Sequence, residues 1–471
     1  MNRFVRLFVA LFLIGGLYLT TPVQSARAAA TFTVNSISDI VDANPGNGIC
    51  ATSTNVCTLR AAVMEANALA GADVIVLEPR RYTLTIDGNP SADNDDTSAS
   101  GDLDITDTLT IQVGSAGMAT IQGRAWTERI LENFSSDPGL VLNNIIIKLG
   151  NTSETGGGLL NTGFTTLNNV IIENNTSVND GGGISNLGTL TLVNSTVRNN
   201  LTTDSVSKGG GIHHSADAVL TISATTISGN TSSNGGGMFV TGNEDMPIAS
   251  VITGSTISGN LSRGDGGGIF VSSDGQLELI NVTVSGNFAN DDGGGLYGAV
   301  QHDVLPRFKM ASVTVTKNTA DADGNNSGNG GGLGANSLST SGFLIKNSII
   351  ADNADLSTTA SAKKPDCSAH WESAAYNLMQ NTTGCTISGD TTGNILGVNP
   401  QLAPLQNNGG LTLTHLPGFG TGLDAANPNG CTDFNDVLLT HDQRLAGRHQ
   451  GPGGGPPGRC DMGAVEVVQP A

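Results

Sequence analysis

From residue 156 to residue 353, apolar and polar residues alternate over short stretches, each closed by asparagine. Six of them read "LVNSTVRNN", "ISATTISGN", "ITGSTISGN", "LINVTVSGN", "MASVTVTKN" and "IKNSIIADN", ending at Asn200, Asn230, Asn260, Asn287, Asn318 and Asn353. Alternation with period two sends successive side chains to opposite faces, so these are short strands and not helices. Glycine triplets begin at Gly156, Gly181, Gly209, Gly235, Gly266, Gly293 and Gly330, each followed by an aliphatic residue: Leu159, Ile184, Ile212, Met238, Ile269, Leu296 and Leu333. Most triplets start 25 to 31 residues apart, with a longer last interval. A unit this short cannot bury its own apolar face and must stack on its neighbours as a solenoid. Glycine supplies turn dihedrals closed to β-branched residues, and a terminal asparagine tolerates left-handed backbone while its amide reaches its equivalent one coil away. A leucine-rich repeat needs a denser leucine consensus, and a propeller blade needs about 40–45 residues. The expected fold class is all-β, a single-stranded right-handed parallel β-helix.

One stretch breaks the pattern. Residues 56–68, "VCTLRAAVMEANA", read as a helix with Thr58 as N-cap, Leu59, Val63, Ala66 and Ala70 as the apolar face, and Gly71 as the stop. An open solenoid end exposes both core and strand edges, so the helix is expected to lie across that end as a lid. Arg60 and Glu65 are then surface or bracing charges rather than catalytic ones.

Composition sharpens this picture. Aromatic residues make up 4% and charged residues 13%, while glycine reaches 64, a profile unlike helical or doubly wound proteins. Arg3 and Arg6 precede an apolar run from Phe8 to Leu19 and the small-residue stretch "SARAAA", the pattern of a secretion signal over residues 1–30. The net charge is −20, and the expected signal holds Arg3, Arg6 and Arg27 but no acid, so its removal makes the chain more acidic. Nucleic acid and anionic membranes are therefore poor partners for the chain as a whole. Six cysteines fall in three local groups, and proximity pairs Cys50 with Cys57, Cys367 with Cys385 and Cys431 with Cys460, as suits an oxidising compartment.

The end segments carry a family resemblance. "CTLRAAVMEAN" (57–67) and "GDLDITDTLTI" (101–111) resemble the N-terminal CSLREA domain of secreted bacterial proteins. "GVNPQLAPLQNNGGLTLTHLPGFGTGLDA" (397–425), "DQRLAGR" (442–448) and "CDMGAVE" (460–466) resemble the choice-of-anchor Q domain. The repeats between them are similar to the β-helix of pectin-lyase-like and polymorphic outer-membrane proteins. Ala61 stands where the CSLREA family has glutamate, which leaves only the Thr58 half of a capping box. The resemblance implies secretion and a β-helix but no particular reaction. It divides the chain into a signal (1–30), an N-terminal cap with the first coils (31–110), the repeats (111–353) and a C-terminal capping module (354–471).

Aligned by their terminal asparagines, the coils place candidate chemistry in columns. Two residues earlier stand Glu173, Arg198, Ser228, Ser258, Ser285, Thr316 and Ala351, in which Glu173 and Arg198 form an ion pair with no second acid. Before the triplets stand Asp180, Lys208, Asn234, Asp265, Asp292 and Asn329; Asp265 and Asp292 are the weak Ca²⁺ candidates, against a reading as solvated turns. The acidic loop 91–104 is a second such candidate. After each post-triplet aliphatic stand Leu160, Ser185, His213, Phe239, Phe270, Tyr297 and Gly334. An inward aliphatic turns this column outward, making His213, Phe239, Phe270 and Tyr297 a candidate stripe for an extended sugar chain; the alternatives are rings stacked on each other, or covering by the loop 241–250. His213 and His214 face opposite ways on a strand and cannot chelate one ion. His415, His441, Asp442, Arg444 and Asp461 invite a catalytic reading, yet Asp–Arg pairs more often brace a turn.

No catalytic residue and no cofactor is assigned, with Ca²⁺ left open. The expectation is a secreted or cell-surface β-helix, non-catalytic, that mediates adhesion or contact with extracellular glycan or matrix. The alternative is a polysaccharide lyase or glycoside hydrolase on the same scaffold, which requires acids, or acids and an arginine, to converge in one groove.

Overall fold

The computed structural model describes residues 29–467, apart from 89–96, 125–126, 243–249, 273–274, 301–306, 338–340, 360–361, 419–420 and 449–458. Most of the expected signal lies outside the described residues, as do parts of loops 91–104 and 241–250. The chain winds through four parallel sheets in a constant order, the third visited, among the described residues, only between Asn151 and Asp355. One coil runs from Phe164–Asn168 in the first sheet to Ile171–Glu173 in the second, Thr176–Ser177 in the third and Ile184–Asn186 in the fourth. Thr189–Val193 then pairs beside the starting strand, with Phe164 opposite Thr189. Among the described residues the sheets hold 13, 12, 8 and 10 strands. This is a right-handed parallel β-helix, all-β apart from one α-helix.

The alternation fixes what lies inside. Leu167, Leu192, Ile222, Ile252 and Leu279 are register partners along the first sheet, and none is exposed. Each such side chain contributes about 1.5–3 kcal/mol by leaving water. Glycine at the head of each triplet adopts the left-handed region, with φ of 64–71° from Gly156 to Gly330. The following glycines are needed for close approach: a Cβ on Gly182 would sit 2.5 Å from the Gly210 carbonyl oxygen.

The terminal asparagines form a buried ladder. From Asn175 through Asn200, Asn230, Asn260, Asn287 and Asn318 to Asn353, each backbone and side-chain N–H donates to the Oδ1 of the next coil at 2.8–3.1 Å. Asp366 Oδ1 ends the series. The left-handed position falls one residue earlier than the sequence suggested, at Asn174, Asn199, Gly229, Gly259, Gly286, Lys317 and Asp352. A second ladder joins Asn133, Asn161, Asn186 and His214. The Asn186 amide can only donate to His214 Nδ1, so His214 Nε2–H donates to Ser250 Oγ at 3.0 Å. Burial pushes the His214 pKa down to about 4, and its neutral ring is a structural rung.

The helix spans Leu59–Ala68 and caps the N-terminal end, with the Ala61 N–H donating to Thr58 Oγ1. It stops at an extended Leu69, short of the expected Gly71; Leu69 is buried, whereas Ala70 is exposed. Arg60 and Glu65 are both fully buried and brace the lid, so the surface alternative for them fails. Arg60 pairs with Asp39 and donates to the carbonyls of Ser98, Gly101 and Asp102, while Glu65 accepts from the N–H groups of Gly46 and Gly48. The disulfides are Cys50–Cys57, Cys367–Cys385 and Cys431–Cys460.

Strands continue past residue 353, through His370–Ala374, Thr386–Asp390 and Ile395–Leu396. The described residues of the segment after them contact the second sheet. The segment runs back along the outer face of that sheet, whose threonines offer a polar row to grip. Gln443 accepts from Thr283 Oγ1 at 2.6 Å and donates to Thr256 Oγ1 at 2.9 Å. Arg448 donates to Asn281 Oδ1 and the Gly463 carbonyl, pairs with Glu466, and is almost wholly buried. Asp442 pairs with Arg444 and accepts from the Glu466 N–H, and Asp461 accepts from the N–H groups of Asp424 and Val467. These residues fasten the arm; they brace turns, as the Asp–Arg spacing suggested.

Candidate functional site

The outward column of the fourth sheet is continuous: Asp104, Glu132, Leu160, Ser185, His213, Phe239, Phe270, Tyr297, Gly334 and Ser368 are successive register partners. The expected stripe of His213, Phe239, Phe270 and Tyr297 is therefore one row. Its rings stack on each other, Phe239 on Phe270 with centroids 4.6 Å apart and planes 13° apart, and Phe270 on Tyr297 at 4.9 Å. Phe239 and Phe270 meet face to face, Lys208 lies over the Phe239 ring, Tyr297 is tilted against Phe270, and Phe270 is half-buried. Phe239 and Tyr297 retain 5% and 6% exposure, too little for a sugar to lie on them. His213 stands 3.6 Å from Asp180, and burial lowers its pKa against the pull of that carboxylate.

The residues before the triplets flank this row as a ladder of their own. Asp265 Oδ1 accepts from the Asp292 N–H at 2.9 Å, and Asp292 Oδ1 from the Asn329 N–H at 2.7 Å. Asn234 serves the Asp265 N–H and Asp180 the Lys208 N–H in the same way. Asp and Asn recur here because a side-chain oxygen must reach the next coil, which is the turn reading of Asp265 and Asp292. Burial pushes the Asp265 pKa up to about 7, so near neutrality it is a poor partner for a cation.

At the N-terminal end of the row, Asp102, Asp104 and Glu132 each place a carboxylate oxygen within 4.8 Å of the others. Arg129 joins them, bonded to Glu132, 2.6 Å from Glu154 and 3.7 Å from Asp102. Asp102 and Asp104 belong to the acidic loop 91–104, the second Ca²⁺ candidate; that Glu132 and Arg129 join them was not visible in the sequence, because these coils precede the regular repeats. Burial opposes the charge on Arg129, yet Asp102, Glu132 and Glu154 together raise its pKa above the ordinary arginine value. Burial pushes the Asp102 pKa up to about 7, against the pull of Arg129. This all-oxygen donor set is compatible with Ca²⁺, while the Arg129 guanidinium beside it opposes a dication.

The outer face of the second sheet differs. The C-terminal arm grips it from Thr256 onward, and towards the N-terminus two adjoining cavities follow it. The first, about 700 Å³, is lined by Arg81, Thr83, Gln122 and Arg124 together with Ser38, Asp39 and Thr85. Thr83 is the register partner of Gln122, which puts a polar floor between the two arginines. The second, about 530 Å³, shares Gln122 and Arg124 and extends to Asn151 and Asn174. Asp39 is the carboxylate in this lining, and it is already saturated by Arg60 and by the N–H groups of Thr85 and Ile86. Arg81 and Arg124 have no ion-pair partner among the described residues and are exposed. One coil on, Lys148 follows Gln122 in register and Glu173 follows Lys148; Glu173 is held by Arg198 at 2.6 Å, the predicted ladder pair. The alternation in "RYTLT" and "TIQGR" already put Arg81, Thr83 and Thr85, and then Gln122 and Arg124, on one face. They lie ahead of Gly156, outside the regular repeats.

No protein-family model matches the chain, and neither does any curated protein, so the CSLREA and choice-of-anchor resemblances rest on their motifs alone. Among solved structures, the pectate lyase Pel9A has a TM-score of 0.50 at 14% identity, over 94% of this chain and 98% of that one. The PL6 family alginate lyase AlyGC has a TM-score of 0.33 at 12% identity, over 81% of this chain and 57% of that one. The first likeness establishes a pectate-lyase-type β-helix; at this identity it shows the fold alone. Three disulfides suit an oxidising compartment, and no helix among the described residues is long and apolar enough to cross a membrane.

Proposed function

We propose that this chain is a secreted or cell-surface β-helix that binds acidic extracellular polysaccharide without cleaving it, through the cation-lined groove on the second sheet. The observation that carries the reading is the pair of exposed arginines, Arg81 and Arg124, facing a cavity whose carboxylate is already neutralised. Guanidinium forks match carboxylate and sulfate oxygens, and the Thr83, Gln122 and Ser38 side chains add hydrogen bonds to sugar hydroxyls. The chain's net charge of −20 does not forbid this, because charges beyond about 8 Å are screened at physiological salt. Each exposed pair is worth only about 0.2–1 kcal/mol, so useful affinity comes from a polymer that engages several sites at once.

The test is retention of the full secreted chain on immobilised polygalacturonate, sulfated dextran and neutral dextran, with and without Ca²⁺, while soluble polymer is assayed for chain cleavage. Retention on the acidic matrices alone, without cleavage, supports the proposal. Depolymerisation, or equal retention on neutral dextran, refutes it.

A further inference from the structure

A different pocket holds a nucleophile and a base. Where the arm crosses the second sheet, a cavity of about 560 Å³ is lined by Ser258, Ser285, Lys317, Leu402, Leu405 and His415, among others. His415 Nδ1 lies 2.6 Å from the Ala403 carbonyl oxygen, which can only accept, so Nδ1 carries the proton. His415 Nε2 is then a bare lone pair, and Ser285 Oγ–H donates to it at 2.8 Å. That tautomer is the one a histidine needs to take a proton from serine, with the carbonyl in the orienting role. A second feature points to the same spot. Ser258 and Thr316 are the register partners of Ser285 in the preceding and following coils. Thr316 is fully buried, and its Oγ1 has no hydrogen-bond partner among the described residues. A buried hydroxyl without a partner is costly, and here it stands beside the serine on the same face. The glycines at the corner keep the space open, since a Cβ on Gly259 or Gly286 would meet nothing within 4 Å.

We infer that Ser285 and His415 form a catalytic dyad for hydrolysis of short acyl esters, such as an acetylated sugar hydroxyl. Ser285 Oγ attacks the acyl carbon as its proton passes to His415 Nε2. The carbon–oxygen bond to the alcohol breaks, and the leaving alkoxide takes that proton. Water then attacks the acyl-serine, giving its proton to Nε2, which returns it to Ser285 as the carboxylic acid leaves. Ser258, Thr316 and the Lys317 ammonium, which also holds Asp352 at 3.1 Å, are the donors offered to the oxyanion. Leu402, Pro404 and Leu405 wall the acyl side, and Ser285, only 3% exposed, is reached by a slender acyl group rather than a bulky one. Burial lowers the His415 pKa below the usual histidine value; Lys317 adds to this, while the Ala403 carbonyl and Asp352 oppose it. The base is therefore ready at neutral pH. The inference is independent of the polysaccharide reading, which uses another part of the sheet.

The test incubates the full chain and its Ser285→Ala and His415→Asn variants with p-nitrophenyl acetate and with a fluorophosphonate probe, mapping the labelled peptide by mass spectrometry. The dyad predicts probe attachment at Ser285 and a loss of about 100-fold or more in hydrolysis in either variant. The Ser258→Ala variant, which leaves the Ser285–His415 hydrogen bond in place, separates chemistry from arm docking: it should lose hydrolysis by about 10-fold or more while limited proteolysis shows the arm still bound. No labelling of Ser285 in a chain whose arm resists proteolysis, or hydrolysis unchanged in Ser285→Ala, overturns the inference and leaves the pair as a fastener only.

Discussion

Replacing Arg60 by methionine asks whether the N-terminal helix is bolted down by charge. The guanidinium is fully buried, holds both oxygens of a carboxylate that is itself 2% exposed, and donates to three carbonyls of the segment 98–102. Methionine keeps most of the stem's packing volume but leaves Asp39 with only the Thr85 and Ile86 N–H groups. Removing one member of a buried ion pair costs about 3–5 kcal/mol, because the remaining charge is left without compensation. Adding Asp39→Asn removes that charge and should recover part of the loss. Urea denaturation gives the energy, and hydrogen exchange over 59–68 and 98–104 gives its place, since a solenoid can lose one end while the rest stays folded. Asp39 also lines the arginine cavity, so the single variant should weaken binding of acidic polymer even where it remains folded. A destabilisation below about 1 kcal/mol, the range of exposed pairs, would refute the bolt.

Other consequences are equally direct. Asp265 has a folded pKa of about 7 against an ordinary 3.8, so its contribution to stability is greatest in acid and falls as the pH rises through about 7. Asp265→Asn keeps the acceptor for the Asp292 N–H and should be more stable than the parent at pH above about 7 and no more stable near pH 4, read from urea midpoints. Phe239→Ala opens the ring stack and should cost about 3–5 kcal/mol of stability, with polysaccharide retention unchanged, because the ring faces its neighbours and not the solvent. Gln443→Ala removes the grip on Thr256 and Thr283 and should expose residues 397–448 to limited proteolysis while hydrogen exchange in the coils 164–240 stays protected.

Much of the coil architecture was legible because it repeats. Each coil must satisfy the same backbone geometry, so glycine, asparagine and alternating aliphatic residues recur at fixed intervals, and the pairing of Glu173 with Arg198 followed from alignment alone. What depends on side chains closing over one another was not legible. The His213–Tyr297 row was placed on the correct face, but whether its rings met ligand or each other is a torsional matter that alternation does not fix. The arm's route was hidden for a related reason. Gln443, Arg448 and Ala464 bond to Thr256, Asn281 and Thr314 across more than a hundred residues of chain, and no local pattern announces such a partner. The arginine cavity combined both difficulties, since its two strands precede the regular repeats and its wall is Asp39, paired through the lid helix.

The central claim is that Arg81 and Arg124 recognise an acidic glycan. Isothermal titration of the full chain with oligogalacturonate, at about 0.05 M and about 0.5 M salt, tests it when repeated with Arg81→Ser/Arg124→Ser. The account predicts binding to the parent that weakens with salt and falls about 10-fold or more in the double variant, with the fold intact by circular dichroism. Binding that is equal in the double variant, or insensitive to salt, would contradict it.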